Sequence, residues 1–214
     1  MASGNKPVLV TCVLMLICVT FSSGVETDIS CLKAFKGAIE DPNNVLSTWD
    51  FSNLTPGFIC RFIGVECWHP DEDRVLNINL ADFRLKGMLP LGLANCTSMT
   101  GLNLSGNMLF GNIPNNISNM LPYLTSLDLS SNNFSGPIPR DLANCSFLNV
   151  IKLDNNRFSG QIPKELARLS RIREFSVANN SLRGQVPIFK NVNISAKSYA
   201  GNPGLCGGPL PRCK

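Results

Sequence analysis

The sequence predicts a right-handed α/β solenoid of five short repeats, closed by a cap at each end. Three observations predict it: self-comparison returns a period of 24 to 25 residues, Gly recurs at 87, 111, 136, 160 and 184, and Pro follows three residues after each Gly. A fixed period of this length stacks one supersecondary unit per repeat and builds the core by stacking alone.

The copies read VLNINLADFRLKGMLP (75–90), MTGLNLSGNMLFGNIP (99–114), LTSLDLSSNNFSGPIP (124–139), LNVIKLDNNRFSGQIP (148–163) and IREFSVANNSLRGQVP (172–187). In each, a core pair (Ile78/Leu80, Leu102/Leu104, Leu127/Leu129, Ile151/Leu153, Phe175/Val177) alternates with period two. That predicts one short strand per repeat with alternate residues turned inward. Three residues further on stand Asn107, Asn132, Asn156 and Asn180. A buried Asn there can bond backbone groups of the neighbouring coil that a turning chain leaves unpaired. Repeat one has Phe83 instead, so the ladder is expected to lack a rung at its N-terminal end. The Gly permits a tight turn and the Pro presets an extended or turn backbone. Leu93, Leu142 and Leu166, three residues after their Pro, return to the core.

Both covers are visible. Residues 28–39 place Ile29, Leu32, Phe35 and Ile39 at helical spacing, and Asp41-Pro42 supplies a stop. Trp49, Phe58 and Phe62 offer apolar surface to the first coil. Cys60 and Cys67 are seven apart, compatible with a local bridge, and Cys206 and Cys213 repeat the interval in GNPGLCGGPLPRC (201–213), whose Gly and Pro predict an irregular cap. Cys96 and Cys145 each fall six residues after a motif Pro, where repeat four has Leu169, and are read as core fillers. They lie two coils apart, about 10 Å, beyond disulfide reach. Cys31, on the apolar side of the cap helix, is left as a buried thiol or an intermolecular bridge.

Lys6, the apolar run from Val8 to Val19 and Ser22-Ser23-Gly24 form a secretory signal pattern. The expected division is a signal peptide over 1–24, an N-terminal cap over 25–73, five repeats over 74–190 and a C-terminal cap over 191–214. No later segment reaches the roughly 18 apolar residues of a membrane helix. Nine cysteines agree with an oxidising destination, so the mature chain is expected to be secreted. N-x-S/T sequons make Asn53, Asn95, Asn103, Asn116, Asn133, Asn144, Asn179 and Asn193 glycosylation candidates.

The repeat is similar to the plant-specific class of leucine-rich repeats. CLKAFKGAIEDPNNVLSTW (31–49) with CRFIGVECW (60–68), and the 201–213 end, resemble the caps of plant receptor-like kinases. Within that group, GFICRFIGVECW (57–68), the NMLPYL insertion (119–124) and EFSVANNSLRGQVP (174–187) resemble the five-repeat ectodomains of BIR-type pseudokinases. The resemblance covers essentially the whole mature chain. It implies an extracellular binding module whose partner is another leucine-rich-repeat receptor or a SERK-type co-receptor ectodomain, and which modulates signalling at the cell surface. Family members continue into a transmembrane helix and a kinase-like domain; with its last residue at Lys214, the chain is expected to be an ectodomain fragment or a secreted short relative.

Strand residues pointing away from the core line the concave face of a solenoid. The central column is Asn79, Asn103, Asp128, Lys152 and Ser176, flanked by Val150, Arg173, Glu174, Asp154 and Ala178. Five coils give a strip about 24 Å long. Its mixed charge suits a protein partner, and the mild net charge of +4, with scattered Lys and Arg, gives no nucleic-acid footprint. No catalytic residues, metal ligands or cofactors are expected. His69 is the only histidine and sits in a loop, and Asp71, Glu72 and Asp73 are read as solvated. The competing reading is a secreted inhibitor of a microbial wall-degrading enzyme such as a polygalacturonase, for which five coils make a short arc.

Overall fold

The computed structural model describes residues 27–53 and 55–213, so the signal-peptide reading falls outside the described residues. Helix α1 (27–38) opens the N-terminal cap. Two sheets then run the length of the stack. The inner sheet holds six strands in the order β11-β9-β7-β5-β3-β2, where β2 is Val65–Cys67, β3 Val75–Asn79, β5 Gly101–Asn103, β7 Ser126–Asp128, β9 Val150–Lys152 and β11 Glu174–Ser176. All its pairs are parallel except β2 with β3. Ile78, Leu102, Leu127, Ile151 and Phe175 share one register column, and all are buried.

The sequence predicts one strand per repeat, but the described residues contain a second. A lateral sheet runs β1-β4-β6-β8-β10-β12-β13: Ile39–Glu40, Lys86–Gly87, Met108–Gly111, Asn133–Pro137, Arg157–Gln161, Ser181–Gln185 and Gly204–Cys206. Stacking imposes this strand on a segment rich in turn-forming Asn, Ser and Gly, because coils repeated in register present paired donors and acceptors. The motif Gly lies within it with positive φ, from 75° at Gly136 to 145° at Gly87. At Gly136 the φ of 75° favours glycine; a Cβ there would meet only the exposed Asn112 amide, which can move aside. Leu85, Leu109, Phe134, Phe158 and Leu182 project inward from this side, and the Phe134 and Phe158 rings stack at 6.3 Å.

Between the sheets the chain turns on short 3-10 segments, Leu91–Asn95, Arg140–Asn144 and Lys164–Arg168, which bury Leu93, Leu142 and Leu166. Repeat two differs. Its extra residue in NMLPYL widens the turn into an α-helical one, α2 (Ile117–Met120), and Ile117 takes the place of the buried Leu.

The Asn rungs bond as follows. Asn132 Oδ1 accepts from Leu109 N, and its Nδ2 donates to the carbonyls of Leu104, Leu129 and Ser130. Asn107, Asn156 and Asn180 repeat the pattern. Asn202 adds a rung that repeat counting missed: it accepts from Leu182 N and donates to the Val177, Tyr199 and Ala200 carbonyls, so the C-terminal cap begins as a further coil.

The caps bring three corrections. Ile39 is not in the helix; it starts β1 and pairs antiparallel with Gly87. Asp73 is not solvated: it is buried, and Oδ1 accepts from Ile59 N. Cys96 is not a core filler and Cys31 is not a free thiol, because the two form a disulfide that ties α1 to the turn after Leu91–Asn95. Further disulfides join Cys60 to Cys67 and Cys206 to Cys213. Cys145 is free and buried, and desolvation pushes its thiol up to about 12, so it remains a protonated core group. At the far end Phe175 packs against Phe189 and Tyr199, which cover the last coil.

Candidate partner interface

The register of the inner sheet fixes the concave face. Asn79, Asn103, Asp128, Lys152 and Ser176 are successive partners in one column. A second column runs through Asn77, Gly101, Ser126, Val150 and Glu174. Arg173 precedes β11 and is exposed.

These side chains are held in place. Asn103 Oδ1 accepts from Ser105 N and Oγ, and Asp128 Oδ1 accepts from Ser130 N and Oγ, each two residues on. Asn77 Nδ2 donates to Glu66 at 2.6 Å. Lys152 Nζ meets Glu174 Oε1 at 2.9 Å. That bond to Glu174, with Asp128 and Asp154 nearby, holds the Lys152 ammonium above the ordinary lysine range. At the C-terminal end of the face, Asp128, Lys152, Asp154, Glu174, Ser176 and Lys197 line a shallow depression of about 420 Å³. A larger open cleft on the opposite side, about 620 Å³, is lined by Asn115, Asp141 and Arg168 and already spanned by the Arg140–Glu165 ion pair at 3.0 Å.

A row along the entry edge of the inner sheet was missed from sequence. The residue just before the buried apolar residue that opens each repeat (Val75, Met99, Leu124, Leu148 and Ile172) is Arg74, Ser98, Tyr123, Phe147 and Arg171 in turn. Tyr123 and Phe147 are 53% and 38% exposed with ring centroids 6.1 Å apart, and the Arg171 guanidinium lies 5.5 Å over Phe147. At the cap end Arg74 lies 5.7 Å over exposed Trp68, whose Nε1 donates to Ser98 O, while Arg74 Nε donates to Ser98 Oγ. Large aromatics where a polar residue is expected were the available signal. Exposed aromatics paired with arginine are the residue types that dominate protein–protein contacts.

His69 is exposed in a turn, and among the described residues no group of three His, Cys, Asp or Glu is arranged to hold a metal ion. Of the sequon residues, Asn53, Asn116, Asn144, Asn179 and Asn193 are exposed and Asn95, Asn103 and Asn133 half-buried. No helix among the described residues is long and apolar enough to cross a membrane.

Comparison with known proteins fits this geometry. A leucine rich repeat N-terminal domain model matches residues 25–68, and a leucine rich repeat model matches 98–120, 123–145 and 147–169. The chain is 51% identical over 152 residues to the inactive LRR receptor-like serine/threonine-protein kinase BIR2 of Arabidopsis thaliana, covering 68% of this chain and 25% of that protein. It is 54% identical over 207 residues to a probably inactive leucine-rich repeat receptor-like protein kinase of the same plant, covering 96% and 33%. The chain thus spans a quarter to a third of the length of these relatives. Among solved structures, the Arabidopsis BIR2 ectodomain superposes with a TM-score of 0.85 at 49% identity, covering 87% of this chain and 98% of that one. The Arabidopsis BIR3–SERK2 complex matches with a TM-score of 0.82 at 42% identity and the same coverage.

Proposed function

From a chain that belongs to the family of plant leucine-rich-repeat receptor-like kinases exemplified by BIR2, we propose a binding module that engages the ectodomain of a SERK-type co-receptor and modulates receptor assembly. The module acts at the outer face of the plasma membrane or in the apoplast, and carries out no chemistry itself. The observation that carries this reading is the exposed Tyr123–Phe147–Arg171 row bordering the concave face. The aromatic rings supply the apolar anchor. Asn79, Asn103, Asp128, Lys152, Arg173, Glu174 and Ser176 supply a polar rim in which Val150 adds one apolar contact, with Asn103 and Asp128 already tied by their Ser105 and Ser130 partners. A rim ordered before contact loses little side-chain entropy on binding. Strip and row together offer an area near the ~800 Å² per partner of a standard interface.

The similarity of this chain to the Arabidopsis BIR3–SERK2 complex supports the choice of partner. Interferometry of the purified mature chain against a SERK2 ectodomain tests it. Phe147→Ala, removing a central aromatic anchor, is expected to weaken binding by about 30-fold, the equivalent of ~2 kcal/mol. A chain that gives no complex with any SERK ectodomain, or one that binds equally after Phe147→Ala and Arg171→Ala together, overturns the proposal.

A further inference from the structure

The outward face of the lateral sheet carries an apolar patch outside the proposed interface. Met108 and Phe110 point outward from β6 and are 41% and 40% exposed, and Met88, just after β4, is 56% exposed. Met88 lies along Gly111, its Cγ 3.1 Å from where a Cβ would stand, so the glycine lets it lean toward β6. An apolar patch of this kind on an extracellular chain calls for a cover.

The next strand supplies one. Asn133 opens β8 and pairs in register with Phe110, so both side chains stand on the same face about one strand spacing, ~4.8 Å, apart. Asn133-Phe134-Ser135 is a sequon; Phe134 is buried and Asn133 is half-buried on the outward face. Arg157 Nη2 donates to Asn133 Oδ1 at 3.0 Å. This bond uses the amide oxygen and leaves Nδ2, the atom that carries sugar, directed away from Arg157. Asn95, Asn144 and Asn179 instead direct Nδ2 to Ser30, Asp141 and Asn155. Asn53 and Asn103, like Asn133, accept at Oδ1, from Thr55 and Ser105 of their own sequons; Asn133 is set apart from them by its pairing with exposed Phe110.

We propose that Asn133 carries an N-linked glycan whose first sugars lie over Phe110 and Met88, shielding the lateral sheet with carbohydrate. The donor is an oligosaccharide on a polyprenyl diphosphate. Nδ2 bonds to C1 of the first sugar, the C1–O bond to the diphosphate breaks, the lipid diphosphate leaves with the electron pair, and the amide gives up one proton. Oδ1 keeps its bond from Arg157. The C–H face of a pyranose is apolar, and the electron-rich face of the Phe110 ring is its complement. This proposal stands apart from the choice of protein partner.

The test expresses the full 214-residue chain in a eukaryotic secretory host and maps glycopeptides by tandem mass spectrometry. Asn133 is expected to be occupied in most molecules. Ser135→Ala removes the sequon while leaving Asn133, Arg157 and Phe110 in place; it is expected to lose one glycan-sized mobility step and to gain binding of the apolar dye bis-ANS. Adding Phe110→Ser is expected to abolish that gain. Asn133→Gln serves as a second variant should Ser135→Ala fold poorly. An unmodified Asn133 in the secreted protein overturns the proposal, as does a Ser135→Ala chain with unchanged dye binding. A bare Asn133 together with loss of SERK2 ectodomain binding in Phe110→Ser assigns the patch to a protein contact instead.

Discussion

The rungs of the asparagine ladder should not be equal, and the bond pattern says which matters more. In Asn132→Leu the carbonyls of Leu104 and Leu129 keep donors from Asn107 and Asn156, and Ser130 O keeps Gly106 N. Only Leu109 N is orphaned, since its partner is Asn132 Oδ1. In Asn107→Leu three groups lose their partners: Phe83 N, Leu85 N and Leu80 O. The difference arises because repeat one has Phe83 where an Asn would otherwise stand. A buried unpaired backbone group costs about 1–3 kcal/mol, so Asn132→Leu should destabilise by about 2 kcal/mol. Allowing for hydration of the half-buried Phe83 amide, Asn107→Leu should cost about 4 kcal/mol. For a chain of this size these correspond to drops of about 5 °C and about 10 °C in melting temperature. Calorimetry or circular dichroism melts of both variants decide it. Equal losses, or a larger loss in Asn132→Leu, would refute the argument that orphaned backbone groups set the cost.

Three other outcomes are expected. Removing the Cys31–Cys96 bridge by Cys31→Ala with Cys96→Ala opens a link with a sequence separation of 65. Loop entropy puts the loss at about 4 kcal/mol, read as a lower urea midpoint, and an unchanged midpoint would exclude a stabilising bridge. Asp28 is buried and accepts from Val75 N, and desolvation raises its carboxyl from 3.8 to about 6. The folded state therefore holds this proton more tightly than the unfolded chain. Its contribution is greatest below pH 4 and is lost as pH rises through 6, a change of about 3 kcal/mol. Urea midpoints measured from pH 4 to 7 should fall less steeply in Asp28→Asn than in the parent chain; parallel slopes would rule Asp28 out. Lys152→Glu replaces the partner of Glu174 on a half-exposed surface, and should leave melting within about 1 kcal/mol while changing affinity for the co-receptor ectodomain. Unfolding of that variant would mean Lys152 does not face solvent.

What the sequence disclosed was whatever recurred by residue type. The inner strands, the Asn rungs and the Gly-Pro pairs sit in columns of near-constant spacing, and each column has one physical job. The lateral sheet was hidden because its residues carry turn chemistry, and only neighbouring coils make them strands. The Cys31–Cys96 bridge was hidden because Leu169 occupies the equivalent position of a later coil, which made Cys96 resemble an ordinary apolar filler. The Tyr123–Phe147–Arg171 row was hidden for the opposite reason. Its position repeats, but its residues run from Arg through Ser and aromatics back to Arg, so no type-based comparison links them. Asn202 escaped because the Pro and Gly around it signalled the end of the repeats one coil too early.

The continuation of the rungs through Asn202 makes length a free variable of this architecture. Beyond the first repeat, each coil receives from its predecessor, and offers to its successor, the same pattern of open backbone groups. An interior unit could therefore be duplicated or deleted without redesigning either terminus, much as links are added to a chain between two unchanged clasps. Concave surfaces of different reach could then arise from one set of end pieces, leaving specificity to be rewritten at the few outward positions of each link.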